Sequence, residues 1–468
     1  MRGQAFGIAG LVCAVGACGT AEVRVLSTGD EGGVAATNGD GGVTMTGTQT
    51  LPDGGGTRAD YCAESDPAAL VSTASSGMPV CAGQIAQSSF RFALCTCDDL
   101  VSSAPISTDS FDGTQGPYSA ATATIGGSIG SNGFLSVGGP SEIAGSLWAG
   151  DADAGLSSPS EVTIEGELHA AGLVNLTAAG VTVDTDAWAQ SGLVVAGNAL
   201  IAGTLYIPQG APLDVGGTKT IGTIVNETVQ VPAPCDCAAP LLVDVGGFVE
   251  TYRAKNDDVD VGLDPLMLEN VQAPLSETIP CGRFFFTRVG AHAPVSLTVS
   301  GRAAIFIGGD FEADDDFFVD VPPGSELDLF IEGNVVASQG FRVGDEANPA
   351  LARTYIGGNG DVSIQTATSI TGNLYAPSAQ LVLSDAGTTI FGGAFVQGLA
   401  TGIGSLSVHF DESVVRQAST CPAPAACTTC RDCENQACRD GGCGACSDSS
   451  ECCAPLVCRS GTCVLDIR

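Results

Sequence analysis

The chain has 468 residues, 44% of them hydrophobic and 15% charged, so most of it is not disordered. Acidic residues number 52 against 17 Lys plus Arg, and the net charge of -35 repels phosphate backbones and anionic lipid heads, which excludes nucleic acid as a partner. Gly accounts for 64 residues without a Gly-X-Y period, which excludes collagen, and the scarcity of Lys, Glu, Gln and Met argues against long helices.

In chain order, residues 1–17 read as a signal peptide. Met1-Arg2 is a minimal positive region, and Ala5 to Val15 is apolar but too short to span a bilayer. The run ends in Val15-Gly16-Ala17-Cys18, which resembles a bacterial lipobox. The resemblance implies that Cys18 is acylated and becomes the first residue of the exported chain, anchored in a membrane by its acyl chains. The competing reading is ordinary cleavage near Ala17. Gly19 and Thr20 stand where an inner-membrane retention signal would place Asp, so the enterobacterial sorting rule implies the outer membrane. Residues 18–60 then form a tether, because Ser27 to Asp60 is Gly-rich, aperiodic and poor in large apolar side chains.

Residues 61–119 form a disulfide-linked leading segment. A short motif then returns through the chain. Ile143-Ala144-Gly145-Ser146-Leu147-Trp148-Ala149 is matched by Ile164-Glu165-Gly166-Glu167-Leu168-His169-Ala170, by Ile201-Ala202-Gly203-Thr204-Leu205-Tyr206-Ile207 and by Ile370-Thr371-Gly372-Asn373-Leu374-Tyr375-Ala376. Ile390-Phe391-Gly392-Gly393-Ala394-Phe395-Val396 is a looser copy. A period near 20 means stacked units that cannot bury their apolar side alone. Within a unit, apolar residues alternate with polar ones and Gly, Asn, Asp or Ser separates short strands. The predicted fold is therefore all-β: a parallel β-helix (solenoid) with an irregular insertion and a small disulfide-rich C-terminal module, in preference to a β-sandwich. Ten or so coils at the inter-strand spacing would give a rod of ~50 Å. The repeats fall in two blocks, 120–210 and 291–413. The intervening 211–290 reads as an excursion on the rod's side, with a helix or strand pair over Leu241 to Asn256.

Several runs carry a family resemblance. They are Cys281-Gly282-Arg283-Phe284-Phe285-Phe286, Ala304-Ile305-Phe306-Ile307-Gly308-Gly309-Asp310, Gly372-Asn373-Leu374-Tyr375-Ala376-Pro377-Ser378-Ala379 and His409-Phe410-Asp411-Glu412-Ser413. Together they resemble exported bacterial β-helical domains of predicted lipoproteins and pilus-associated surface proteins and, more distantly, bactofilin-like β-helices. The resemblance covers about 120–413 and implies no catalytic residues.

With Cys13 and Cys18 set aside, eighteen cysteines remain. Seven lie in the body: Cys62, Cys81, Cys95, Cys97, Cys235, Cys237 and Cys281. Eleven lie in the module 414–468: Cys421, Cys427, Cys430, Cys433, Cys438, Cys443, Cys446, Cys452, Cys453, Cys458 and Cys463. Two odd groups need at least one bridge between them, with Cys421 the natural partner, leaving five bridges among ten tail cysteines. Zinc is the competing reading of Cys427-x2-Cys430-x2-Cys433, disfavoured by the tail's lack of His and by the adjacent Cys452-Cys453. From Cys446 onward the spacing resembles knottin and Dickkopf-type binding modules.

Candidate sites are few. If Leu147 points inward, Trp148 points outward, and the same register turns His169, Tyr206, Tyr375 and Phe395 outward as an aromatic column. Such a column would stack on sugar rings; the competing reading is that 211–290 or 60–100 covers it. Glu312 and the run Asp314-Asp315-Asp316, with Asp345-Glu346 further on, are the best acidic clusters, and Asp314, Asp315 and Asp316 are candidate Ca²⁺ ligands, weighed against simple loop solvation. No metal other than Ca²⁺, no cofactor and no catalytic residue is expected. The sequence points to a non-enzymatic outer-membrane lipoprotein with a structural, adhesive or surface-display role, its partners a membrane and a polysaccharide or surface protein. The alternatives are a polysaccharide-binding or -cleaving β-helix and end-to-end self-association of rods.

Overall fold

The computed structural model describes residues 58–63, 70–72, 79–365, 369–383, 387–402, 404–420, 427, 429–433, 436–439, 442–459 and 461–465. The signal peptide, Cys18, the tether up to residue 57 and Cys421 lie outside them. Among the described residues no helix is long and apolar enough to cross a membrane.

Three short strands make each coil, and each pairs in parallel with the equivalent strand above and below. Alternation fixes which side chains face inward. Leu135-Ser136-Val137, Leu156-Ser157-Ser158 and Val162-Thr163-Ile164 each read buried, half-buried, buried. Each enclosed Leu, Ile or Val contributes roughly 2 kcal/mol relative to exposure. The motif glycines sit where coils approach too closely for a side chain: a Cβ on Gly166 would lie 2.7 Å from the backbone of Gly145, one coil away.

The order of stacking departs from the order of the chain. Leu94–Thr96 pairs with Ile129–Ser131 on one side and with Ala394–Val396 on the other. Leu100–Ser102 and Ile106–Phe111 are likewise clamped between the second coil and the last. The winding therefore begins mid-rod, runs to one end at Lys219–Asn226, returns along the side through 227–274, and restarts at the other end with Leu275–Phe286. It then winds back until its last coil closes against its first. The expectation that position along the chain equals height holds within each half and fails between them.

One register position shows the whole rod. Phe285, Phe306, Phe330, Tyr355, Tyr375, Phe395, Cys95, Gly130, Trp148, His169, Trp188, Tyr206 and Val225 follow one another from end to end. Thirteen coils at the inter-strand spacing give about 60 Å, longer than the sequence reading allowed. The difference arises at the block boundaries. Leu94–Phe111 is a coil rather than part of a leading segment, and 211–226 and 275–290 belong to the rod rather than to the excursion.

The excursion is narrower and partly helical. Helix α1 (Arg58–Ala63) and helix α2 (Ala82–Ser89) precede the rod; helix α3 (Val245–Ala254) lies in the excursion. Asp244 caps α3 by accepting the Gly247 N–H at 2.9 Å, and Phe248, Val249 and Tyr252 form its buried face. Helix α4 (Asp258–Val261) ends at Gly262, which takes the left-handed conformation at φ +71°. Around α4 the excursion caps the lower end. Asp257 Oδ2 accepts the Arg283 N–H at 2.8 Å, and Asp258 Oδ1 accepts the Phe285 N–H at 3.1 Å. Those donors would otherwise be orphans of a terminal strand.

Three disulfides staple these pieces to the rod: Cys62–Cys281, Cys95–Cys235 and Cys97–Cys237. Cys81 is also bridged, and its partner lies outside the described residues. In the tail, ten cysteines make five bridges, Cys427–Cys438, Cys430–Cys453, Cys433–Cys443, Cys446–Cys458 and Cys452–Cys463. They hold two small antiparallel hairpins, Ala437–Arg439 with Gly442–Gly444 and Leu456–Arg459 with Thr462–Leu465. Two trios of these tail cysteines have sulfurs close enough to share a metal, but every one of them is disulfide-bonded.

Candidate functional site

The outward column exists, and its two halves have different surroundings. In the lower half, rings stack at 5.2 Å (Phe306–Phe330) and 4.8 Å (Phe330–Tyr355), and α3 lies over them. Tyr252 stacks on Phe306 at 4.2 Å, Phe248 packs on Phe330 at 5.0 Å, and the Tyr375 hydroxyl accepts the Val243 N–H. Phe90, which follows α2, meets Tyr355 and Tyr375. Tyr375 is 2% and Phe395 3% exposed, so neither is open to a ligand. The structure removes them from the glycan-stacking set.

At the middle of the rod the ring is missing and the excursion fills its place. Cys95 is bridged to Cys235, and Gly130 is bare: a Cβ there would meet Pro234 at 3.0 Å and Phe92 at 3.2 Å.

The upper half carries four rings in sequence. Trp148–His169 stack at 3.6 Å, His169–Trp188 at 4.4 Å and Trp188–Tyr206 at 4.9 Å, with planes within 12° of parallel. Trp188 belongs to this ladder although its coil lacks the motif glycine; Thr185-Asp186 precede Ala187-Trp188-Ala189. The alternation of Val181-Thr182-Val183 just before it, and its position 19 residues after His169 and 18 before Tyr206, are the signals that place it. Because the rings lie flat on one another, their faces are used up and they present edges. Sugar stacking face-on along the column is thereby ruled out for the inner rungs His169 and Trp188. Burial of His169 lowers its pKa, only partly opposed by Glu167, whose carboxylate meets Nε2 at 2.9 Å. The imidazole is neutral at pH 7.

The edges of Trp148, His169 and Trp188 form the floor of a cleft of about 900 Å³. One wall is the excursion at Pro232–Pro234 and Asp236; the other is the cysteine-rich module, from Ser449–Ser450 to Cys452–Arg459. Arg91 sits at the junction. It pairs with Asp236, and its Nη1 donates to the Ala454 carbonyl at 2.8 Å, joining excursion, rod and module. The indole N–H of Trp148 is buried with no acceptor.

The remaining polar groups are engaged elsewhere. His292 meets Asp314 at 2.7 Å, and His409 meets Asp109 at 2.7 Å while stacking on Tyr118 at 3.7 Å. Asp315 accepts the Asp316 N–H, and Asp316 accepts the Gly340 N–H. Asp314, Asp315 and Asp316 thus act as separate turn and ion-pair acceptors, and the structure does not gather them into a Ca²⁺ site. Glu312 pairs with Arg288 at 3.7 Å, Asp345 accepts the Ala347 N–H and Glu346 accepts the Ser369 hydroxyl.

A buried charge cluster stands beside the lower column. Arg353 donates to both carboxylate oxygens of Asp328, at 2.7 and 2.9 Å, and to Glu326. Arg302 lies 3.4 Å from Glu326, and the Tyr61 ring of α1 lies 5.0 Å from the Arg283 guanidinium and 5.6 Å from that of Arg302. Burial pushes the Glu326 carboxyl up, against the pull of Arg353. All these groups are buried, so they act in packing rather than on a ligand.

No curated protein and no solved structure matches the chain. Residues 245–416 match the family model of a domain of unknown function, DUF7305, a span that starts at α3 and ends just past the last coil. The similarity therefore covers the lower half of the rod together with the helix that covers its rings.

Proposed function

We propose that the protein is an exported, non-enzymatic display scaffold: an outer-membrane lipoprotein, anchored through Cys18, whose rod holds a recognition cleft away from the membrane in a structural or adhesive role. The observation that carries this reading is the set of eight described disulfides, three of which fasten distant parts of the chain to the rod. Such bridges persist in an extracellular or periplasmic compartment. The buried carboxylates Glu326 and Asp328 serve ion pairs inside the fold and buried Asp411 accepts backbone N–H bonds, which fits a scaffold better than a hydrolase. The carbohydrate-active reading keeps its binding half because of the cleft. For cleavage, the two carboxylates there would have to leave their partners, Glu167 from His169 and Asp236 from Arg91.

The test is mass spectrometry of the mature N-terminus, with surface biotinylation of intact cells, on the wild type and Cys18→Ala. Acylated Cys18 and surface labelling that Cys18→Ala abolishes are expected. A wild-type chain that is unacylated and free in the periplasm overturns the proposal.

A further inference from the structure

We propose that the cleft between the Trp148–His169–Trp188 rungs and the cysteine-rich module is a binding site for a neutral oligosaccharide. This rests on the display reading and names the ligand class of its cleft.

The lining decides the chemistry. Its charged side chains are Arg91, Arg459, Glu167 and Asp236, two of each sign, beside a neutral His169. A charged ligand finds no excess of opposite charge there, and the chain's net charge of -35 repels anions at long range. A wholly apolar ligand would strip water from those four groups and from Ser449 and Ser450 without replacing it. An extended peptide needs a strand edge with free donors to pair with, and on the module's edge strand, Leu456–Arg459, the N–H groups of Leu456 and Cys458 already donate to the Cys453 carbonyl and the Ser449 hydroxyl. The floor strand Leu168–Ala170 is already paired on both sides, with Leu147–Ala149 and Ala187–Ala189.

A polyhydroxylated neutral ligand meets every condition. Its hydroxyls donate to Glu167 and Asp236 and accept from the arginines and serines. Its C–H patches rest on the ring edges and on Pro232, Pro234 and Pro455. The volume of about 900 Å³ lies within the range of ligand sites and admits a short oligosaccharide.

The chain has only two tryptophans, Trp148 and Trp188, and both line the cleft. Intrinsic fluorescence therefore reports on the site without a label. The full chain, purified in detergent, is applied to an array of neutral and anionic glycans, and the best neutral binder is titrated against tryptophan emission. Saturable binding of a neutral glycan with a shift in emission is expected. Trp188→Ala should weaken it at least tenfold. Ser450→Tyr, which fills the cleft from the module side and leaves the rod untouched, should do the same. Binding to anionic glycans only, no glycan binding, or full binding by both variants each overturns the assignment. Surface labelling that persists while no glycan binds sinks this inference and leaves the display reading standing; loss of surface labelling sinks the display reading itself.

Discussion

The two halves of the rod share one register, one spacing and one outward column of rings, yet they end in different environments. Below the chain's crossing point, Phe306, Phe330, Tyr355 and Tyr375 are sealed by α3 and by Phe90. Above it, Trp148, Trp188 and Tyr206 stay half-open beside a cleft. Ring chemistry shifts with the same division: the sealed half uses Phe and Tyr, and the half-open one replaces Phe with Trp and His beside Tyr206, side chains whose polar atoms tolerate a wet edge. The same outward position is core in one half and surface in the other, according to what the chain lays over it. The match to DUF7305 spans the sealed half with its covering helix.

That contrast is broken most directly by truncating one ring in each half. Phe330→Ala should cost about 3–5 kcal/mol in denaturant unfolding, because it leaves a cavity under α3. Trp188→Ala should cost only about 1 kcal/mol, because its edge is already hydrated. Equal losses would mean that α3 does not seal the lower column.

Acidification sharpens the same contrast with a smaller effect. Burial raises Asp258, at the lower cap, to about 6 from 3.8, and raises Asp257 and Glu326 as well. The folded form holds these protons more tightly, so the Asp258 contribution is fully present below about pH 4 and is lost as pH rises through about 6, with Asp257 and Glu326 acting in the same direction. Buried His169 has the opposite sign: the unfolded chain takes its proton first, so its contribution is lost as pH falls below 6.5. The carboxylates outnumber it, and the midpoint of thermal unfolding should rise by about 2–4 °C from pH 7.5 to pH 5. Asp258→Asn should remove part of that rise and His169→Phe should enlarge it.

Much of this was legible in the sequence, for a local reason. Alternation and a period near 20 report directly on strands and stacking, and they placed Trp148, His169 and Tyr206 outward without tertiary information. Ten tail cysteines in five bridges followed from parity. What escaped was set by long-range pairing. Trp188 was missed because its coil turns on Asp186, which donates no glycine to the motif but accepts the Thr204 N–H at 2.6 Å. The first coil was missed because Leu94–Phe111 is completed by strands about 300 residues later, as in Ser107 beside Ser407. One signal did exist. Cys95-x-Cys97 and Cys235-x-Cys237 share their spacing, and both bridges span 140 residues, as expected when one segment runs alongside another.

The closing of the last coil on the first is the feature on which the common column depends. Ser107 and Ser407 face each other across that seam with hydroxyls 2.9 Å apart. In Ser107→Cys/Ser407→Cys, peptide mapping of the oxidised protein by mass spectrometry should recover a 107–407 disulfide in the monomer with the native bridges intact. If the halves were stacked in chain order, those positions would lie at opposite ends of the rod. Two free thiols, or a 107–407 bridge found only between molecules, would contradict the architecture.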